Sequence, residues 1–377
     1  MRKLSDTIAR LSAMRSMAPS GPAAARDRLT DLTNFGTNPG ALRARTYIPA
    51  NLPDDAPLVV VLHGCTQNAA GYDTASGWSQ LADRHGFALL FPEQTRSNNA
   101  NLCFNWFQPE DVRRDAGEAL SVRQMIGVMI DAHAIDPARI FVTGLSAGGA
   151  MTSVMLATYP ELFAGGAIIA GLPYGVASNM PQAFDRMRGH GGPGERELAD
   201  LVRGASNHKG PWPTISVWHG TADTTVSPAN ADAILAQWRP LHGLHRAPTW
   251  QEDVNGYPHR VWSDDAGVAR IEEYRITGMN HGTPIATRDE GEVGEVAPYM
   301  LEVGISSTRH IAAFWGLTGA VVDKVDAAGR QATALGILPA TNLTGEAYGT
   351  AGNRQLVALS DVGQIIEDAL RTAGLMR

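Results

Sequence analysis

Ile140-Phe141-Val142-Thr143-Gly144-Leu145-Ser146-Ala147-Gly148-Gly149-Ala150-Met151 is the stretch from which the rest of the chain is read. Residues 140–143 are apolar and β-branched, as a strand requires, and residues 147–159 read as a helix. Between them stands a G-x-S-x-G, Gly144 to Gly148. That motif carries meaning only in a strand–turn–helix setting, where a sharp turn lifts the serine hydroxyl out of the sheet. Its glycines leave room for the turn and for the helix to close on the strand. Ser146 is therefore the nucleophile candidate, set against the plainer reading of a Gly-rich strand–helix turn.

Working outward, Pro57-Leu58-Val59-Val60-Val61-Leu62 is a continuous apolar run that stops at His63-Gly64. Such runs suit strands covered on both faces, the situation in parallel sheets. Further strands are expected at residues 46–49, 88–92, 167–170, 214–218 and 271–276. Helices are expected at 78–85 and at 119–134, where Met125, Ile126, Met129 and Ile130 recur at helical spacing. Asp136-Pro137-Ala138-Arg139 reads as a turn. Strands alternating with helices predict an α/β fold, a mostly parallel central sheet with helices on both faces. Residues 1–30 read as an N-terminal arm, 31–317 as the main domain and 318–377 as an extension. Within the domain, 174–210 is rich in Gly, Pro and His and reads as a cap-like insertion. The extension closes on a helical stripe of Val362, Ile365, Ile366, Ala369 and Leu370 behind Ser360.

Composition excludes several classes. Of 377 residues, 44% are hydrophobic and 18% charged, enough for an extensive core and too apolar for wholesale disorder. The 31 basic and 38 acidic side chains leave −7, which argues against a nucleic-acid footprint over the whole chain. No apolar run approaches the roughly 18 to 20 residues of a membrane span. Near the N-terminus, Asp6 and Arg10 fall where an export signal would be apolar, so no such signal is read there. The two cysteines, Cys65 and Cys103, lack CxxC spacing; on composition they are either one bridge or two buried thiols.

A serine needs a base and an orienting acid. In open α/β sheets, functional groups collect beyond the carboxyl ends of strands. Trp218-His219-Gly220-Thr221-Ala222-Asp223 follows a buried strand, which makes Asp223 the acid candidate. Gly278-Met279-Asn280-His281-Gly282 follows a later one, which makes His281 the base candidate. Of the 11 histidines, His219 is the competitor, but it shares the acid's loop, and the order Ser, acid, His favours His281. Two backbone amides should complete the site as an oxyanion hole, one from Ala147 and one from the loop His63-Gly64-Cys65-Thr66-Gln67.

Seven ordered segments then give a family likeness. His63-Gly64-Cys65-Thr66-Gln67, Cys103-Phe104-Asn105-Trp106-Phe107, Gly144 to Met151 and Gly171-Leu172-Pro173-Tyr174-Gly175 are the first four. Trp218 to Asp223, Gly278-Met279-Asn280-His281-Gly282-Thr283-Pro284 and Gly304-Ile305-Ser306-Ser307 follow. Over residues 40–317 the chain resembles the polyhydroxybutyrate depolymerase family of esterases. The resemblance implies an α/β-hydrolase fold, no metal or organic cofactor, and a Ser146, Asp223, His281 triad. It also implies Cys65 and Ala147 amides as the oxyanion hole and a disulfide between Cys65 and Cys103. Trp106, Tyr174 and Asn105 lie in its segments and are the substrate-binding candidates, with core packing as the alternative for the two aromatics.

The expected substrate is a hydroxyalkanoate oligomer or similar short ester. Family members that attack solid polymer carry a linker and a binding domain, and the residues after Leu317 do not read that way. The cysteine pair and the family favour an extracellular or periplasmic home, against the missing export signal. Feruloyl and acetylxylan esterases share the scaffold, and poly(aspartic acid) hydrolases resemble it. An anionic polymer would want basic residues such as Arg113, Arg114, Arg186 and Arg188 in the groove. Outside enzymes stand a binding module that kept the fold, and a scaffold or homodimer joined through the terminal helix. A hydrolysis assay separates the enzymes from the binding module; self-association through the terminal helix could coexist with catalysis.

Overall fold

The computed structural model describes residues 27–288 and 291–318. They fall within the first of two units of the chain, Met1–Val321; the second, Val322–Arg377, lies outside the described residues. So do the expected arm up to residue 26 and the terminal helical stripe.

Ten strands form one sheet: β1 (Thr30–Leu32), β2 (Arg43–Tyr47), β3 (Ala56–Leu62), β4 (Ala88–Glu93), β5 (Ile135–Leu145), β6 (Gly165–Ile169), β7 (Thr214–Gly220), β8 (Trp250–Val254), β9 (Tyr257–Ser263) and β10 (Ala269–Ile276). Their spatial order is β1-β2-β4-β3-β5-β6-β7-β10-β9-β8. The six central strands, β4 to β10 in that order, run parallel, and antiparallel pairs finish both edges. Between the strands lie α1 (Ala69–Ser76), α2 (Trp78–His85), α3 (Gly117–His133), α4 (Ala147–Thr158), α5 (Met180–Met187), α6 (Glu195–Ala205) and α7 (Ala229–Trp238), with α8 (Ser307–Phe314) at the end.

The apolar run in β3 shows why helices cover both faces. Leu58, Val60 and Leu62 pack with Val122 and Met125 of α3, Met151 and Val154 of α4 and Ile234 of α7. Val59 and Val61 point the other way, to Tyr72 of α1, Leu81 of α2 and Ile311 of α8. Successive side chains on a strand face opposite sides, so a run apolar at every position needs two covers. Every residue of β3 is buried.

Several expectations shift in detail. The expected turn at 136–139 lies inside β5, as an irregularity where Ala56 pairs with Ile135 and Leu58 with Ile140. Its turn chemistry is nonetheless present, since Asp136 Oδ1 accepts the Ala138 N–H at 2.8 Å. The strand expected at 46–49 is Arg43–Tyr47, and residue 30 of the expected arm already pairs in the sheet. Residues 174–210 carry α5 and α6. The β8–β9 hairpin turns through Asn255 (φ 50°) and Gly256 (φ 81°). An Asn-Gly pair between two strands is a strong hairpin signal, legible in the sequence itself.

Candidate active site

Four chain segments leave the carboxyl ends of parallel strands on one rim. The first follows β5, where Ser146 takes φ 58° and ψ −116° and caps α4. This positive-φ conformation at a non-glycine residue holds the serine at the crest of the turn, its side chain only partly buried. The Ser146 N–H donates to the Ile169 carbonyl at the end of β6, at 2.9 Å. A Cβ at residue 148 would lie 2.3 Å from the Leu62 carbonyl oxygen and 2.5 Å from that of His63. Only glycine lets the start of α4 close on the end of β3, and this approach sets the serine beside the 63–67 loop.

That loop is held rigidly. Buried His63 uses Nδ1–H toward the Gly64 carbonyl at 2.7 Å, and its Nε2 accepts the Gln94 N–H at 3.1 Å. Burial holds its imidazole below the usual histidine range, in keeping with a neutral ring. Gly64 N–H donates to Gln67 Oε1 at 2.8 Å, and Thr66 N–H to the Asn101 carbonyl at 2.7 Å. Among the described residues, neither the Cys65 N–H nor the Ala147 N–H meets an acceptor. Cys65 is disulfide-bonded to Cys103, across 38 positions of sequence.

Beneath the bridge lies an arrangement that sequence reading missed. Glu118, at the start of α3, is fully buried. Its Oε1 accepts from Gln94 Nε2 (2.6 Å) and Asn98 Nδ2 (3.1 Å), and its Oε2 accepts the Asn105 N–H (2.8 Å). Gln94 Nε2 also donates to the Cys103 carbonyl at 2.9 Å. One carboxylate thereby ties the Cys103 loop to the strand end that holds His63. Burial pushes its carboxyl up to about 8, outweighing the donors that favour the anion.

Asp223 and His281 meet in the loops that follow the neighbouring strands β7 and β10. His281 Nδ1–H donates to Asp223 Oδ2 at 2.7 Å, and both side chains are buried. Asp223 Oδ1 accepts the N–H groups of Thr225 (2.9 Å) and Val226 (2.8 Å). The two loops are stitched together by Ala222 N–H on the Met279 carbonyl (3.0 Å) and Gly278 N–H on Thr221 Oγ1 (2.9 Å). Asn280 Oδ1 spans both, accepting from His281 N–H (2.8 Å) and Thr224 N–H (3.2 Å). At residue 220 a Cβ would lie 2.2 Å from the Met279 carbonyl oxygen, so glycine is what permits the approach.

The competitor His219 is not in a loop but is the penultimate residue of β7. It is 1% exposed, donates Nε2–H to the Val226 carbonyl at 2.9 Å, and stands 3.4 Å from Asp223 Oδ2. A ring sealed in this way cannot exchange protons with a substrate; it can brace the acid. Burial pushes the Asp223 carboxyl up, but the bonds from His219 and His281 outweigh it and hold the group well below the usual carboxylate range.

The substrate-binding candidates separate. Trp106 packs with Ala147, Leu172 and Val226 in a small apolar cluster that touches Cys65 and Cys103. Tyr174 instead packs against the main core, its backbone clamped by Gln237 at 2.8 and 3.0 Å. Asn105 is turned to its own chain, donating Nδ2 to Asp111 and accepting from Asn99. The basic candidates are also engaged internally. Arg113 donates to the Pro109 carbonyl, Arg114 to Thr158 and Glu161, and Arg186 to the Val176 and His190 carbonyls. Tyr299, not singled out in the sequence, lies edge-on to His281 with ring centroids 6.3 Å apart. Among the described residues no group of three or more His, Cys, Asp or Glu could hold a metal ion, and no helix is long and apolar enough to cross a membrane.

Comparison with known proteins gives a consistent picture. The family model described as Esterase PHB depolymerase matches residues 43–252. Poly(3-hydroxyalkanoate) depolymerase C of Paucimonas lemoignei is 47% identical over 296 residues, covering 77% of this chain and 70% of that protein. The acetylxylan esterase of Coprinopsis cinerea is 32% identical over 274 residues, covering 71% and 72% respectively. Among solved structures, acetyl xylan esterase from Aspergillus awamori superposes with a TM-score of 0.65 at 24% identity, over 77% of this chain and 99% of that one.

Proposed function

Since this chain belongs to the PHB depolymerase family of esterases and is a serine-type carboxylic-ester hydrolase, we propose that it cleaves hydroxyalkanoate oligomers or similar short esters with Ser146, Asp223 and His281 as its triad. The observation that carries the triad is the 2.7 Å Asp223–His281 bond on the rim where the strained Ser146 turn emerges. Ser146 Oγ attacks the ester carbonyl carbon and passes its proton to His281 Nε2. Asp223 fixes the tautomer through Nδ1–H and stabilises the imidazolium. The tetrahedral oxyanion takes the N–H groups of Cys65 and Ala147, each such donor being worth about 2.7 to 4 kcal/mol of barrier. Collapse expels the alcohol, protonated by His281, and water then repeats the cycle on the acyl-enzyme.

The relative named as a poly(3-hydroxyalkanoate) depolymerase supports a polyester-type substrate here. The acetylxylan esterase relative supports a second reading, with short acyl groups carried on a sugar polymer. The disulfide supports an oxidising compartment. One panel tests these readings: 3-hydroxybutyrate oligomers, acetylated xylan, methyl ferulate and poly(aspartic acid), with wild type and Ser146→Ala side by side. Turnover fastest on the oligomers and abolished in Ser146→Ala is expected. Turnover retained in Ser146→Ala would remove the nucleophile assignment, and a preference for acetylated xylan would exchange the two substrates.

A further inference from the structure

Tyr299 occupies a position that a tyrosine takes at a conformational disadvantage. The Met300 N–H closes a tight turn on the Ala297 carbonyl at 2.9 Å, with Pro298 second and Tyr299 third. At that third place the backbone has φ 65°, where glycine or asparagine sits more easily than a bulky residue. Strained residues of this kind persist where surrounding structure over-determines them, and they cluster at functional sites. Here the surroundings do so. The Tyr299 carbonyl accepts the Thr283 N–H at 2.7 Å, and Thr283 pairs with Met300 in a two-stranded parallel sheet, β11 (Thr283–Ile285) and β12 (Met300–Glu302).

The same turn reaches both halves of the site. The Pro298 carbonyl accepts from Gln67 Nε2 at 3.3 Å, and Gln67 Oε1 holds the Gly64 N–H of the oxyanion loop. The Tyr299 ring stands at 79° to the His281 imidazole. Its side chain is only partly buried, and its hydroxyl has no hydrogen bond among the described residues.

Chemistry says which part of a substrate would meet this ring. The proton held by His281 goes to the departing alkoxide oxygen, so the alcohol half of the ester must lie against the imidazole in the transition state. The acyl half stays bonded to Ser146, with its carbonyl oxygen directed to the amides of Cys65 and Ala147. A side chain set beside His281 therefore borders the alcohol half. We propose that Tyr299 forms the alcohol-side subsite, an aromatic wall that selects esters by the apolar bulk of their leaving group. The inference rests on the reading of His281 as proton carrier. In an oligomeric substrate, the group recognised would be the next hydroxyacyl unit.

The test compares two series of simple esters. The alcohol series holds acetate constant and varies methyl, butyl and benzyl alcohol; the acyl series holds methanol constant and varies acetate, propionate and butyrate. In Tyr299→Ala and Tyr299→Asn, the benzyl-to-methyl ratio of kcat/KM should fall about tenfold, while the butyrate-to-acetate ratio stays within about twofold of wild type. Asparagine suits the positive φ, so it keeps the turn while removing the ring. Tyr299→Phe should keep the alcohol ratio within about twofold. An alcohol ratio that does not move in the Ala and Asn variants would overturn the proposal, as would both ratios falling together. Equal loss on every ester would make Tyr299 a brace acting through Gln67, and a chain that folds with neither Ala nor Asn would make it structural; either also overturns it. Simple esters report on Tyr299 whether or not polyester is the substrate, and Ser146→Ala reports on the triad separately.

Discussion

Asp223 Oδ2 lies 2.7 Å from His281 Nδ1, and the same oxygen lies 3.4 Å from Nε2 of the buried His219. One carboxylate thus faces two imidazoles, of which only His281 belongs to the rim loop. His281→Ala should lower kcat by several powers of ten, on the order of 10⁴ to 10⁶, and Asp223→Ala by somewhat less. Neither should add much to Ser146→Ala if the three act as the proposed triad, whose members work as a unit. His219→Ala should be far milder in kcat and should shift the acid limb of stability. Asp223 is held below its usual range, so its contribution is present above the unfolded pKa of about 3.9 and is lost as pH falls through the lower folded value. Without His219 the folded value moves up toward the unfolded one, so that loss should be smaller and should be complete at a higher pH. Steady-state kinetics and acid unfolding of the variants check this, and an inactive His219→Ala beside an active His281→Ala would exchange the two roles.

Glu118 gives the opposite sign. Its folded carboxyl is pushed up to about 8 by burial, whereas an unfolded glutamate titrates near 4.3. Between those values the folded chain holds a proton that the unfolded chain has lost. Stability from this group is therefore fullest below the unfolded pKa and declines as pH rises toward 8, by at most about 1.4 kcal/mol per pH unit. Glu118→Gln cannot titrate. The unfolding free energy of wild type should fall steadily relative to that of Glu118→Gln from pH 5 to pH 8, as measured by urea unfolding. A gap independent of pH would show that the group stays ionised among its three donors.

What could be read in advance follows from where burial is two-sided. Leu58 to Leu62 is apolar at every position because both faces of β3 are covered, so the central parallel strands stood out. The Ser146 turn stood out because its glycines are required by backbone contacts that no larger residue permits. The place of His219 was misread because a strand end and a loop start look alike in Trp218-His219-Gly220. Glu118 was invisible for another reason. A glutamate in the first turn of a helix is ordinary on a surface, and nothing local says that Gln94, Asn98 and Asn105 will converge on it from other segments. Tyr174 and Tyr299 differ in the same way. Each is a tyrosine directly after a proline in the sequence, Pro173-Tyr174 and Pro298-Tyr299, and only tertiary packing sends one to the core and the other to His281.

The Cys65–Cys103 disulfide joins the 63–67 loop, proposed to hold the oxyanion, to the loop bearing Trp106, and this makes a prediction that separates stability from activity. Closing a loop across 38 positions should stabilise the chain by roughly 3 to 5 kcal/mol on the entropy model. For a domain of this size that corresponds to a fall in Tm on the order of 10 °C when the bond is reduced. Activity should fall further than folding does. His63, Gln67 and Asn101 still hold the loop after reduction, but Cys65 itself, whose N–H is proposed to bind the oxyanion, loses its covalent anchor. Assays at a temperature where circular dichroism shows the reduced protein fully folded should therefore give a lower kcat, with KM moving less, since the amide acts on the transition state. A Cys65→Ser, Cys103→Ser variant should reproduce the reduced enzyme and fail to recover on reoxidation. Reduced protein with free thiols counted by mass spectrometry and unchanged kcat would confine the bridge to stability.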